Sequence, residues 1–149
     1  MRLYLAAAWS RKEEIREIAE ELNAIPGIKV GARWLFEPPS SKDAFKFRRR
    51  RAIYDRDDVR RANTLVRFTD DLTHPTVPAR LATGARMFEM GYAYALGKKI
   101  IVVGGYQPIF DYLPGIVHVY DVEELKKLLT KEAKRVGIRS KRLRAAKAV

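Results

Sequence analysis

The strongest constraint on this chain is an alternation of period. Short apolar runs that read as strands are separated by stretches where apolar residues recur every three or four positions, as on one face of a helix. Leu3 to Ala7 is the first run. Arg11 to Ala24 follows, with Ile15, Ile18, Ala19 and Leu22 on one stripe. Ser10 is the expected N-cap, Glu13 completes a capping box, and Pro26-Gly27 ends the helix. Ile28 to Phe36 reads as a second strand, Glu37 to Lys42 as a Pro/Ser loop and Asp43 to Arg61 as a basic helix. Asn63 to Phe68 is a third strand, and Thr69 to Ala82 a loop holding His74-Pro75 and Val77-Pro78. A helix from Gly84 to Leu96 is closed by Gly97 at the cap position. Ile100 to Val103, ended by Gly104-Gly105, reads as a buried parallel strand. Ile116 to Tyr120 is the fifth, and Asp121 caps a last helix from Val122 to about Val136.

Strands that alternate with helices pair in parallel, and the helices then cover both faces. The expected fold is a single-domain, doubly wound, five-stranded parallel α/β sheet of flavodoxin/Rossmann-like type. It spans residues 1–136, with 137–149 as a basic, mobile tail. Ligands of such sheets bind beyond the carboxyl ends of the strands, where strand order reverses. The loops after strands one, three and four are therefore the informative ones.

Composition removes several chemistries. No cysteine is present, which excludes disulfides, thiol nucleophiles and zinc–thiolate sites and fits a reducing cytoplasm. The two histidines, His74 and His118, suggest no metal site, and no G-x-S-x-G turn occurs. No apolar run approaches the roughly 18 residues of a membrane span. The apolar start, Met1 to Ala6, is short and runs straight into a helix pattern, so it reads as a strand and not a signal peptide. Carboxylates are left as the candidate catalytic groups.

The net charge of +12 attracts anions. Residues 46–61 hold eight Lys/Arg against Asp55, Asp57 and Asp58, and residues 131–149 hold eight against Glu132. In the first stretch Arg48 and Arg51 are candidate ligands for a substrate phosphate, since guanidinium forks match phosphate oxygens. The plainer reading, a solvated helix face or subunit contact, is favoured there. Asp57 and Asp58 read as solvated partners of Arg56, Arg60 and Arg61. The tail offers anion attraction but lacks the interleaved aromatics of a single-strand binder. Nucleic acid is thus possible but not favoured.

Glu89 is the only acid between Asp71 and Asp111. Its i±4 neighbours are Ala85 and Ala93, with Arg86 at i−3 and Tyr92 at i+3. A carboxylate on so apolar a face costs free energy unless it is paired or used. Pairing with Arg86 is the plain alternative; the small neighbours leave room for something flat.

The segment G-A-R-M-F-E-M-G-Y-A-Y-A-L-G-K-K-I-I-V-V, from Gly84, resembles the signature of the nucleoside 2-deoxyribosyltransferase family. There a Gly-containing loop leads into E-x-G-Y-A-x-x-x-G-K and an apolar strand. The resemblance covers roughly residues 1–130 and implies that Glu89 is the nucleophile that attacks the anomeric carbon. It implies that Tyr4 and the small residues Ala6 and Ala7, on the first strand and turn, contact sugar and nucleophile. Asp55 falls where the family has the acid of its D-x₇-D/N segment, and would donate to or position the leaving base. Phe110, in Gln107-Pro108-Ile109-Phe110, falls where the family lends a residue to a neighbouring subunit's site. Trp9 and Trp34 could stack on a base, although a lone Trp34 reads more plainly as core.

This chain departs from the family at two positions and in continuing well past the last helix, where some members place the terminal carboxylate near the site. Thr83, before Gly84, stands where an Asp often precedes the nucleophile, and Phe110 stands where transferases usually carry Asn. The expectation is an enzyme that cleaves the N-glycosidic bond of a nucleoside or nucleotide and transfers the sugar to another free base. It would need no cofactor and no metal, and would work as a homo-oligomer with shared sites. The alternatives are a nucleoside monophosphate N-glycosidase using water, or a non-catalytic nucleotide- or nucleic-acid-binding module.

Overall fold

The computed structural model describes residues 1–37, 44–69, 83–105 and 109–146. Five strands form one sheet: β1 (Arg2–Ala6), β2 (Lys29–Val30), β3 (Thr64–Phe68), β4 (Lys99–Val103) and β5 (Ile116–Val119). Every pairing is parallel and the order is β2-β1-β3-β4-β5. The helices are α1 (Lys12–Asn23), α2 (Ala44–Arg61), α3 (Thr83–Ala95) and α4 (Val122–Ala146). The expected doubly wound α/β sheet is what forms.

The winding follows from handedness. The chain steps from β1 out to β2, then crosses back over β1 to reach β3. Right-handed crossovers in opposite directions put α1 and α2 on opposite faces. Helix α2 packs against α3, and Lys126 of α4 pairs with Glu21 of α1. The strand interiors Leu3, Leu5, Leu65, Val66, Ile100, Ile101 and Val102 are fully or almost fully buried. Ile15 and Leu22 of α1, Met90 of α3, and Leu125 and Leu129 of α4 close over them. The reversal of strand order lies between β1 and β3, which places the crevice at the ends of Ala6 and Phe68.

Two of the four positive-φ glycines among the described residues border α3 and β4. Gly97 takes φ +63° and ends α3 as expected, with Lys98 N–H donating to Ala93 O at 2.9 Å. Gly104 takes φ +100°, and a Cβ there would lie 2.1 Å from Thr69 Oγ1. Thr69 Oγ1 in turn donates to Val103 O, so this glycine lets the end of β3 close against the end of β4.

Three expectations are corrected. The second strand is only Lys29–Val30, and Arg33–Leu35 forms a 3₁₀ turn instead of continuing it. The turn buries Trp34, whose indole N–H donates to Leu5 O at 2.8 Å, a bond an extended chain would forgo. Ser10 does not cap α1: Trp9–Arg11 forms a 3₁₀ turn and Arg11 holds the N-cap position without a side-chain cap bond. The last helix runs past Val136 to Ala146, so most of the expected tail is helical. Gly137 alone costs only about 1 kcal/mol relative to Ala, and the Arg, Lys, Leu and Ala residues that dominate 139–146 are good helix formers. Its start is as expected, since Asp121 Oδ1 accepts from Glu124 N–H at 2.8 Å.

The loop read over Thr69 to Ala82 lies, beyond Thr69, outside the described residues, as do most of Glu37 to Lys42 and the pair Gln107-Pro108. No helix among the described residues is long and apolar enough to cross a membrane.

Candidate active site

Strand β1 delivers Tyr4 to the α2/α3 side of the sheet. Side chains alternate along a strand, so Ala6 shares that face, nearer the crevice. Tyr4 is fully buried, and its phenol donates to Glu89 Oε1 at 2.6 Å. Glu89 reaches it from α3, partly buried. Among the described residues Glu89 has this one hydrogen bond and no ion pair. Burial pushes its carboxyl up to about 7; the Tyr4 hydrogen bond opposes this, Asp55 adds to it, and the charges of Arg86 and Arg51 oppose it. The Tyr4 phenol is pushed well up by burial and by the charges of Glu89 and Asp55, so it stays a proton donor.

The pairing of Glu89 with Arg86 is not formed. Arg86 is buried and donates to Phe68 O at 3.3 Å, at the end of β3. Arg11 donates to the next carbonyl, Thr69 O, at 2.6 Å. Two arginines therefore take carbonyls at the end of β3 that the strand ladder leaves over.

Asp55 lies on α2. Its Oδ1 is buried without a hydrogen-bond partner among the described residues, and Oδ2 stands 3.9 Å from Arg51 Nε. Burial lifts the carboxyl to about 6; Arg51 opposes the shift, Asp58 and Glu37 reinforce it, and Arg33 opposes it. Asp55 acts electrostatically on both Tyr4 and Glu89. The fold thus gathers Tyr4, Glu89 and Asp55 from β1, α3 and α2.

Beside them stands an aromatic wall. Trp9 is 52% exposed and Trp34 only 6%, with ring centroids 6.0 Å apart. Trp34 is a core residue by burial, and its N–H is committed to Leu5 O. Trp9 offers the accessible ring. Lys12 Nζ lies 4.9 Å from its centroid and the Arg51 guanidinium 4.2 Å. Arg51 also donates to Trp34 O at 3.0 Å and stands 3.6 Å from Glu37. That web holds Arg51 beside Trp9 and Asp55, while Arg48 is exposed on the same helix. Ala7 is partly exposed next to buried Ala6. Thr83 begins α3 and Gly84 is exposed there. Phe110 is 56% exposed in the 3₁₀ turn Ile109–Tyr112, away from any described contact with the Glu89 cluster.

Sequence reasoning missed two ion pairs. Asp58 is not solvated: it is buried and takes Arg33 Nε on both oxygens, at 2.9 and 3.0 Å, together with Arg33 backbone N–H at 3.0 Å. Asp57 does pair with Arg56, at 3.1 Å. Arg67, inside β3, pairs with Asp111 of the Ile109–Tyr112 turn, and both are buried. A charged residue in the otherwise apolar strand Thr64–Phe68 was the available signal, the same one that drew notice to Glu89.

No protein-family model matches the chain, and no curated protein matches it. Solved structures do. A conserved protein from Enterococcus faecalis V583 superposes with TM-score 0.64 at 15% identity, over 91% of this chain and 98% of that one. A 2-deoxyribosyltransferase from Bacillus psychrosaccharolyticus gives 0.61 at 15%, over 85% and 90%. A CMP N-glycosidase from Clostridium botulinum gives 0.52 at 18%, over 87% and 98%. At these identities the likeness is one of fold, and it extends over nearly the whole of each chain.

Proposed function

We propose that the protein cleaves the N-glycosidic bond of a nucleoside or nucleotide and transfers the 2-deoxyribosyl group to a second base through Glu89. The observation that carries this reading is the Tyr4–Glu89 hydrogen bond at 2.6 Å, made by a carboxylate that has no cation paired to it among the described residues. A carboxylate so placed keeps a free oxygen that, once ionised, can meet a developing oxocarbenium ion. The resemblance of the Glu89 segment to the transferase signature supports it, as do the activities named for two of the superposing proteins.

In the first half-reaction a Glu89 carboxylate oxygen attacks C1′. The C1′–N bond breaks, its electron pair stays on the base, and the protonated Asp55 supplies a proton to it. In the second half, the nitrogen of an incoming base attacks C1′ from the side the first base left. The ester bond to Glu89 breaks, Asp55 takes the incoming proton, and configuration is retained overall. Trp9 is assigned to stack on the base, and Ala6 and Ala7 to leave room for the sugar. Exposed Ile109, Phe110 and Tyr112 are assigned to contact a second copy. Active protein that sediments as a monomer would contradict that last assignment.

Water as acceptor would make the protein an N-glycosidase. Phe110, where transferases usually carry Asn, is the specific feature favouring that second reading. Both are tested by incubation with deoxynucleosides and their 5′-monophosphates, with and without a free second base. Base exchange that needs the acceptor supports transfer; release of free sugar or sugar phosphate supports hydrolysis. Absence of both over a full panel of bases would end the glycosyl-transfer reading.

A further inference from the structure

Helix α4 begins as part of the core and ends outside it. Leu125 and Leu129 are fully buried, Ala133 is partly buried, and Val136 and Ile138 are each 55% exposed. On the side away from Leu125 and Leu129, the spacing puts Lys127, Lys131, Lys134 and Arg135 in one row. All four are exposed, and none has an ion pair among the described residues. Nearby cations differ: Lys126 pairs with Glu21 and Glu123, and Lys99 pairs with Glu132. Like charges at i and i+4, as in Lys127, Lys131 and Arg135, cost a helix about 0.2–0.5 kcal/mol per pair. The sequence then adds Arg139, Lys141, Arg142 and Arg144, with no acid after Glu132.

We infer that this face of α4 is a docking surface for nucleic acid, held through backbone phosphates. A row of unpaired cations matches a regular row of phosphates, and counterion release supplies the affinity. The lack of aromatics among residues 122–146 favours a duplex over stacked single-stranded bases. A membrane surface fits poorly. Such helices insert a broad apolar face, and here the apolar face is buried up to Leu129, with Gly137 and Ser140 interrupting it beyond. The run Arg48–Arg51 on α2 differs: four consecutive residues point around the helix, and Arg51 is drawn into the site.

The test is fluorescence anisotropy of a labelled DNA duplex with the full chain across a salt series. The probe should bind at low salt with a steep negative slope of log K against log salt. In the triple variant Lys131→Gln/Lys134→Gln/Arg135→Gln the slope should fall by about 2–3, at roughly 0.9 for each phosphate no longer neutralised. Circular dichroism should show the helix intact, and N-glycosidic turnover should be unchanged. No duplex binding at low salt would overturn the inference. So would an unchanged slope in that variant, or disappearance of binding instead with Arg49→Gln/Arg50→Gln. Tighter binding to vesicles rich in phosphatidylserine, or to poly-glutamate, than to the duplex would also overturn it. None of these outcomes depends on whether Glu89 is catalytic.

Discussion

Glu89 and Asp111 are both carboxylates taken largely out of water, and the fold treats them oppositely. Asp111 meets a buried arginine, Arg67, that clamps the Ile109–Tyr112 turn onto β3. Glu89 meets a neutral phenol and has no ion pair among the described residues. Asp58 and Asp55 repeat the contrast one turn apart on α2. Asp58 is hydrogen-bonded by Arg33, while Asp55 has Arg51 only at 3.9 Å and keeps a buried oxygen with no hydrogen-bond partner among the described residues. A carboxylate that has its cation is used for holding the fold. One left without a hydrogen-bonded cation is expensive, and its cost makes sense where chemistry needs an available oxygen.

The largest expected effect is at Glu89. On the proposed mechanism Glu89→Gln removes the nucleophile, and turnover should drop on the order of 10³-fold or more. Steady-state kinetics with the preferred substrate reads this directly. Glutamine keeps the acceptor for Tyr4, so retained turnover could not be ascribed to a repaired site. It would place the nucleophile elsewhere and erase the contrast with Asp111.

Asp111→Asn should do the reverse. It leaves the Arg67 charge buried and under-compensated, which costs about 3–5 kcal/mol of folding stability. Urea denaturation measures it. Whatever fraction stays folded should keep most of its turnover per folded molecule. A stability loss under about 1 kcal/mol would mean that this pair does not carry the structural role that separates it from Glu89.

How much of this was legible in the sequence depends on whether the signal was local. The strand–helix alternation and the cap Gly97 were local, and they were readable. So was the oddity of Glu89, because an acid among Ala85, Met90 and Ala93 stands out without a partner being known. The two ion pairs were not readable. Arg33 and Asp58 are 25 positions apart, and Arg67 and Asp111 are 44 apart. Nothing in either neighbourhood names the other. The short β2 was hidden for a related reason: Ile28 to Phe36 has strand-like residues, but the Trp34 bond to Leu5 O and the Arg33 bonds to Asp58 outweigh extension. The length of α4 was hidden because a charge run reads as solvated chain until its helix-forming residues are weighed.

The lack of an ion pair at Glu89 among the described residues should also show in stability against pH. Its carboxyl is raised from 4.5 to about 7, so the folded state holds the proton more tightly than the unfolded state does. The benefit is complete below about pH 4.5 and is lost as pH rises through about 7. At 1.36 kcal/mol per unit, wild type should therefore lose about 2–3 kcal/mol relative to Glu89→Gln between pH 4.5 and 8. Urea midpoints of both proteins at the two pH values give the number. Parallel curves would show that Glu89 is as well compensated as Asp111. Turnover should follow a bell, since Glu89 must be ionised and Asp55, raised to about 6, must be protonated.

The smallest effect expected is at Tyr4, and it separates holding from packing within one side chain. Tyr4→Phe preserves the buried ring and removes only the hydroxyl that donates to Glu89. That hydrogen bond draws the Glu89 carboxyl down, against the pull of burial. Without it Glu89 should need a higher pH to ionise, and the maximum of the pH–rate profile should move up by less than about one unit. Turnover near pH 6.5 should fall about fivefold, the size of a hydrogen bond worth roughly 1 kcal/mol. If the profile stays where it was, the phenol is packing alone, and what keeps Glu89 usable must come from Arg86, Arg51 and the depth of burial instead.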